Sequence, residues 1–114
     1  MSNFEYKIYR KVYDNMIAGT KKVEIRLLNG KSNKIKIGDK IKFSVVDDEN
    51  TYLNVRVTNL YNFKNIEDLW KNKNFIVLDK NLSKEEFVKL FYEIFGEGEV
   101  KTHTIIGIEF EIIK

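Results

Sequence analysis

The chain has 114 residues, of which 43% are hydrophobic, and it contains no cysteine. This length fits one domain, residues 1–114, which would bury roughly two-thirds of its unfolded surface, and the lack of cysteine excludes disulfides and thiolate zinc sites. The longest apolar runs are only a few residues, far from the roughly 20 that a membrane span needs, and the polar N-terminus lacks the apolar core of a signal peptide. We therefore expect a cytoplasmic protein that makes no membrane contact.

The net charge of +3 is unevenly distributed along the chain. Residues 1–42 hold eleven Lys or Arg against four Asp or Glu, whereas residues 43–114 hold nine against thirteen. A localised basic surface favours binding to a polyanion, because each neutralised phosphate releases counterions. The alternative is that the lysines are solvated and reflect only the Lys-, Asn- and Ile-rich composition.

The first half of the chain is predicted to be mainly strand. Alternating apolar and polar residues predict strands over residues 4–9, 22–28, 40–46 and 51–60. A short amphipathic helix is predicted between Tyr9 and Ile17, because apolar residues recur there at helical spacing up to Gly19. The third and fourth strands should form a hairpin around the acidic turn at residues 47–50, and a basic loop occupies residues 29–34.

The second half is predicted to add two helices and one strand. A short helix is expected at residues 66–70, followed by an Asn- and Lys-rich connector to about Asn81. Ser83 and Glu86 have the spacing of a capping box, which predicts that a helix starts there and ends at Gly96 and Gly98. Its apolar stripe is predicted to pack in the core: Phe87, Leu90, Phe91 and Ile94. The last strand is predicted over residues 104–113.

These elements predict an α+β fold, a small mixed β-barrel of five or six strands with two or three short helices. Hairpin signals favour antiparallel pairing over a layered parallel sheet. A narrow closed barrel fills its interior with side chains, so a ligand would have to bind outside it or at its mouth.

One strand carries an unusual cluster of charges, and it is the strongest functional signal in the sequence. Lys22, Glu24 and Arg26 alternate with apolar residues and so share one face, with neighbours roughly 6 to 7 Å apart, and Lys21 lies at the strand's entrance. Such a group suits anion binding or proton transfer, although a solvated surface ladder explains it almost as well. The functional hypothesis requires Lys21, Glu24 and Arg26 to converge in a recess.

Three segments, residues 19–26, 35–43 and 107–110, resemble the ASCH domain family in their order and spacing, and the resemblance covers nearly the whole chain. It implies a PUA-like β-barrel that binds RNA or a modified nucleoside or nucleotide, with or without hydrolysis, in a cleft containing Lys21, Glu24 and Arg26. On this hypothesis the candidate catalytic residues are Lys21 and Glu24. The candidate binding residues are Arg26, Lys22, Lys31 and Lys34.

Two other functions remain open. One branch of the ASCH family hydrolyses N4-acetylcytidine with a lysine, a threonine and a glutamate, and Lys21 stands where that lysine does. Glu24 occupies the threonine's position, however, and a carboxylate cannot be acylated and released as a hydroxyl can, while Thr20 lies on the other side of Lys21. The acidic third member falls in the region of Asp79, Glu85 and Glu86. The second alternative is a non-catalytic protein-interaction module, and no metal site or cofactor is predicted.

Overall fold

The computed structural model describes residues 3–72 and 83–113. Five strands lie in these ranges: β1 Phe4–Ile8, β2 Val23–Leu27, β3 Lys40–Val45, β4 Asp48–Phe63 and β5 Ile105–Ile112. Four α-helices accompany them: α1 Arg10–Ala18, α2 Ile66–Lys71, α3 Lys84–Phe95 and α4 Glu97–Thr102. No helix in these ranges combines the length and the apolar character that crossing a membrane requires.

The strands form one mixed sheet in the order β1-β3-β4-β5-β2, curled into a half-barrel. β1 pairs with β3 in parallel, and the other three pairings are antiparallel. The predicted α+β barrel is therefore confirmed, and so is the predicted hairpin, although its turn is only Val46 and Asp47 because β4 already begins at Asp48. Within the described strands β1 and β2 are the two edges, so the barrel is open between them.

Both faces of the sheet near β5 are buried, which explains the continuous apolar run in that strand. Ile106 and Ile108 belong to a core cluster with β1, β3, β4 and α1, whereas Ile105 belongs to a second cluster with β2, α2 and α3. The second cluster covers the opposite face of the sheet. β5 therefore lies between two packed layers, as a strand with apolar side chains on both faces requires.

Local signals in the sequence place the element ends. α1 ends at Gly19, whose left-handed φ of 81° lets its N–H donate to the carbonyl of Met16. The backbone N–H groups of Thr20 and Lys21 donate to the carbonyl of Asn15, so the chain turns directly from α1 into β2.

The capping box of Ser83 and Glu86 is present and starts α3 as predicted. Gly96 ends α3, but Gly98 lies inside a further short helix, α4, that was not predicted. The predicted connector to Asn81 falls largely outside the described residues, and so does Asp79.

Candidate functional site

The charged cluster of β2 converges on one buried carboxylate. Glu24 is 6% exposed and Lys21 is 7% exposed, while Arg26 is half-buried. One carboxylate oxygen of Glu24 lies 3.3 Å from Lys21 Nζ, and the other lies 2.8 Å from Arg26 Nη2 and accepts from Arg26 Nε at 2.9 Å. Lys21 reaches Glu24 from the turn before the strand, whereas Arg26 reaches it along the same strand face. The three side chains thus meet in the interior of the molecule.

Burial makes these contacts necessary for the fold. A charged group removed from water is costly unless it is paired and hydrogen-bonded. Lys21 Nζ also donates to the carbonyl of Val23 at 2.8 Å, so the buried ammonium has both an anionic partner and a backbone acceptor. Both oxygens of Glu24 are partnered as well.

Arg26 also bridges the open side of the half-barrel. Its Nη2 donates to the carbonyl of Lys7 in β1 at 2.9 Å, and its guanidinium carbon lies 4.7 Å from the centre of the Tyr6 ring. Lys31 Nζ contacts the carbonyl of Glu5 and lies 4.0 Å from the same ring. Two cationic side chains therefore link the edge strand β1 to β2 and to the loop at residues 29–34. Burial and the nearby charge of Arg26 lower the pKa of Lys31.

Tyr6 carries both of these cations on its ring, and its hydroxyl is buried. Among the described residues the hydroxyl has no hydrogen-bond partner, and burial raises its pKa.

We expect Tyr6→Phe to leave the free energy of unfolding unchanged or to raise it by up to about 1 kcal/mol, because it removes an unpaired polar atom and keeps the ring. Tyr6→Leu, which removes the ring, should lower it by about 1–3 kcal/mol. Urea denaturation measures the free energy of unfolding of both variants. A clear loss of stability in Tyr6→Phe would contradict the description of the hydroxyl as buried without a hydrogen-bond partner.

A cavity of about 340 Å³ lies against the Lys21–Glu24–Arg26 cluster. Its lining comes from three parts of the fold: Lys21, Glu24, Ile25 and Arg26 at β2, then Lys7, Ile8, Tyr9, Val12 and Val46, then Phe87, Leu90, Phe91, Ile94 and Phe95 on α3. This size and this mixture of many apolar groups with a few polar ones are typical of small-molecule sites.

The rim of the cavity exposes apolar side chains to water. Tyr9 is 62% exposed, Ile94 is 49% exposed and Val46 is 44% exposed. Single exposed apolar residues are common on proteins, but three around one cavity over a buried ionic cluster make this cavity the candidate site.

Known structures that resemble this chain show its family. The hypothetical protein PH0355 is 32% identical, with a TM-score of 0.80 and an alignment that covers 96% of this chain and 98% of that one. This chain belongs to the family of PH0355. Protein PF0455 from Pyrococcus furiosus is 22% identical, with a TM-score of 0.70 and coverage of 100% and 99%.

The fold is ASCH-like, as the sequence resemblance implies. ASCH from Zymomonas mobilis is 12% identical, with a TM-score of 0.64 and coverage of 94% of this chain and 65% of that one. The ASCH domain from Lactobacillus crispatus JV V101 is 14% identical, with a TM-score of 0.60 and coverage of 96% and 79%. No family model and no curated protein matches the sequence.

The structure divides the predicted site residues into two groups. Lys21, Glu24 and Arg26 line the cavity together. The other predicted binding residues do not line it: Lys22 and Lys34 are exposed, and Lys31 contacts β1. Their roles in binding remain predictions.

Thr20, Glu85 and Glu86, the described candidates for the partners of an acyl hydrolase, do not line this cavity. The Thr20 hydroxyl is exposed and donates to the carbonyl of Asn15 at 3.1 Å. Glu85 and Glu86 are exposed in the first turn of α3, where Glu86 completes the capping box. Within the described ranges, no group of three or more His, Cys, Asp or Glu side chains could hold a metal ion.

Sequence reasoning missed the apolar walls. Phe87 and Phe91 are buried core residues as predicted, but Leu90 is only half-buried and Ile94 is 49% exposed, so the prediction of a core role was wrong for Ile94. The spacing of apolar residues in a helix shows which residues share a face. It does not show whether that face packs against other side chains or borders a cavity.

Proposed function

We propose that this ASCH-like chain binds one modified nucleoside or nucleotide unit in the cavity beside Lys21, Glu24 and Arg26. The observation that supports this most is the buried carboxylate held between two cations on the lining of an otherwise mostly apolar cavity. A nucleobase has the matching character, because its faces are largely apolar while its edges carry hydrogen-bond donors and acceptors.

Glu24 and Arg26 each have hydrogen-bonding capacity left for a ligand. A carboxylate accepts up to about four hydrogen bonds, so Glu24 can accept from a ring N–H or an exocyclic amine while it keeps its two cations. Arg26 uses Nε and Nη2 for its contacts, and in the described part of the chain its Nη1 makes none. Those N–H groups can donate to a base oxygen or to a phosphate.

The charge of the lining favours an anionic ligand. Among the described lining residues, Lys7, Lys21 and Arg26 are positive and only Glu24 is negative, although Lys7 also has an ion pair with Glu49 at the surface. A phosphate on the ligand would offset this excess. Tyr9, at the exposed rim, offers a ring on which a base can stack.

Binding alone is proposed, without a covalent step. The described lining residues include no Ser or Thr that could be acylated, and the chain has no cysteine. Release of acid from N4-acylated cytidines, measured with the purified protein, is therefore expected to stay at the uncatalysed rate.

The binding test uses calorimetric titration with nucleosides, nucleoside 5′-monophosphates and a short unpaired RNA. We expect at least one nucleotide to bind, and the double variant Lys21→Ala, Arg26→Ala to weaken that binding about 100-fold or more, because charge-assisted hydrogen bonds contribute about 1.5–3 kcal/mol each. The matched control is Lys36→Ala with Arg56→Ala, which removes two exposed positive charges outside the cavity lining. It should change the affinity no more than about twofold.

Different results of this titration lead to different conclusions about the binding site. Equal binding by the parent and the Lys21, Arg26 double variant would locate the ligand elsewhere, and no binding by a folded parent would reject the proposal. If the double variant unfolds, Arg26→Lys replaces it, since it keeps the charge but loses the planar fork. For the RNA, a plot of the logarithm of the binding constant against the logarithm of the salt concentration with a slope near −0.7 per phosphate contact would show that longer RNA also binds along the surface.

A further inference from the structure

The apolar stripe of α3 divides between the core and the cavity. Phe87 and Phe91 belong to the second core cluster, whereas Leu90 and Ile94 belong to neither core cluster among the described residues. Leu90 and Ile94 both line the cavity, and their spacing of four places them side by side on one face of the helix. These two aliphatic side chains therefore have a face that the described part of the fold does not cover.

Three apolar residues from other parts of the chain also line the cavity. β1 and α1 contribute Ile8 and Val12, and the β3–β4 turn contributes Val46. All five residues that α3 contributes to the lining are apolar. The charged residues of the described lining come from β1, from β2 or from the turn before β2. α3 therefore contributes an apolar wall to the cavity.

We infer that Leu90 and Ile94 determine specificity, by selecting nucleotides whose base carries an apolar substituent; this rests on the proposed function. A plain base directs polar edges outward, and an apolar wall would leave those donors and acceptors unpaired. An alkyl or aryl substituent instead removes apolar area from water on both partners. Ile94 is 49% exposed in the free protein and so has apolar area that a ligand can cover.

The test compares two matched pairs of 5′-monophosphates by calorimetry, uridine with 5-propynyluridine and adenosine with N6-benzyladenosine. The pairs place the substituent on a ring carbon or on the exocyclic nitrogen. We expect the substituted member of at least one pair to bind about tenfold or more tightly than the plain member. In the double variant Leu90→Ala, Ile94→Ala this ratio should fall to about twofold or less.

The matched control is Val88→Ala, which shortens an aliphatic side chain on the same helix outside this cavity lining. It should keep the preference of the parent. Equal affinities within both pairs for the parent, or a preference that survives in the Leu90, Ile94 double variant, would overturn the inference while leaving the proposed function intact. Absence of binding by these four nucleotides to a folded parent that binds another nucleotide would overturn this inference alone, and absence of binding by every ligand of both titrations would overturn both.

Discussion

Replacing Glu24 by alanine is expected to lower the free energy of unfolding by about 3–5 kcal/mol. Lys21 is 7% exposed and would lose its anionic partner, so that an uncompensated ammonium would remain in the interior. Arg26 would lose both of its contacts to the carboxylate and keep only the carbonyl of Lys7 and the Tyr6 ring. The loss of stability should therefore exceed the loss caused by removing any exposed ion pair in the described structure.

Urea denaturation at neutral pH measures this loss, with Glu111→Ala as the matched control. Glu111 also pairs with an arginine, Arg56, at 3.8 Å, but both side chains are exposed. The control should cost no more than about 1 kcal/mol, because solvent screens such pairs. Equal small losses in the two variants would contradict the description of Glu24 as the partner of a buried cation.

Stability alone does not explain why the interior contains a buried ionic cluster. Well-packed apolar residues of similar volume often stabilise a fold as much as a buried ion pair or more. Leu or Met at positions 21, 24 and 26 could therefore supply about as much net stability as Lys21, Glu24 and Arg26 do. Their position on a cavity lining supports a role in recognition, which is the basis of the proposed function.

The ionic cluster could be predicted from local sequence. The period of β2 places Glu24 and Arg26 on one face, and the glycine turn at Gly19 brings Lys21 to the start of the strand. The contact of Arg26 with the carbonyl of Lys7 could not be predicted, because it depends on β1 and β2 being the two edges of the same curled sheet. Strand order follows from long-range pairing, and a period of two describes only which face a side chain takes.

The cavity walls could not be predicted for a related reason. Val46 belongs to a turn, Val12 to α1 and Ile94 to α3, and only the tertiary fold brings these segments together. α4 was missed because Gly96 and Gly98 are both typical of a helix end, whereas only Gly96 has the positive φ that such an end requires.

Replacing Phe87 by alanine is expected to lower the free energy of unfolding by about 3–5 kcal/mol, the usual range for a fully buried phenylalanine. Phe87 is 2% exposed, and its ring centre lies 5.3 Å from that of Trp70 and 5.8 Å from that of Phe91. It joins α3 to the second core cluster that also contains the apolar side chains of β2. Its loss would leave an unfilled volume between the helix and the sheet.

The matched control is Ile94→Ala on the same helix, which also removes a cavity-lining side chain. Ile94 is 49% exposed and alanine is the better helix former, so the control should cost less than about 1 kcal/mol. Denaturant unfolding of both variants therefore separates the two sides of one helix. A large loss for Phe87→Ala with almost none for Ile94→Ala means that α3 is held by its buried aromatic residues, and that its exposed aliphatic residues are available to a ligand. Equal losses would place Ile94 in the core and contradict its assignment to the cavity.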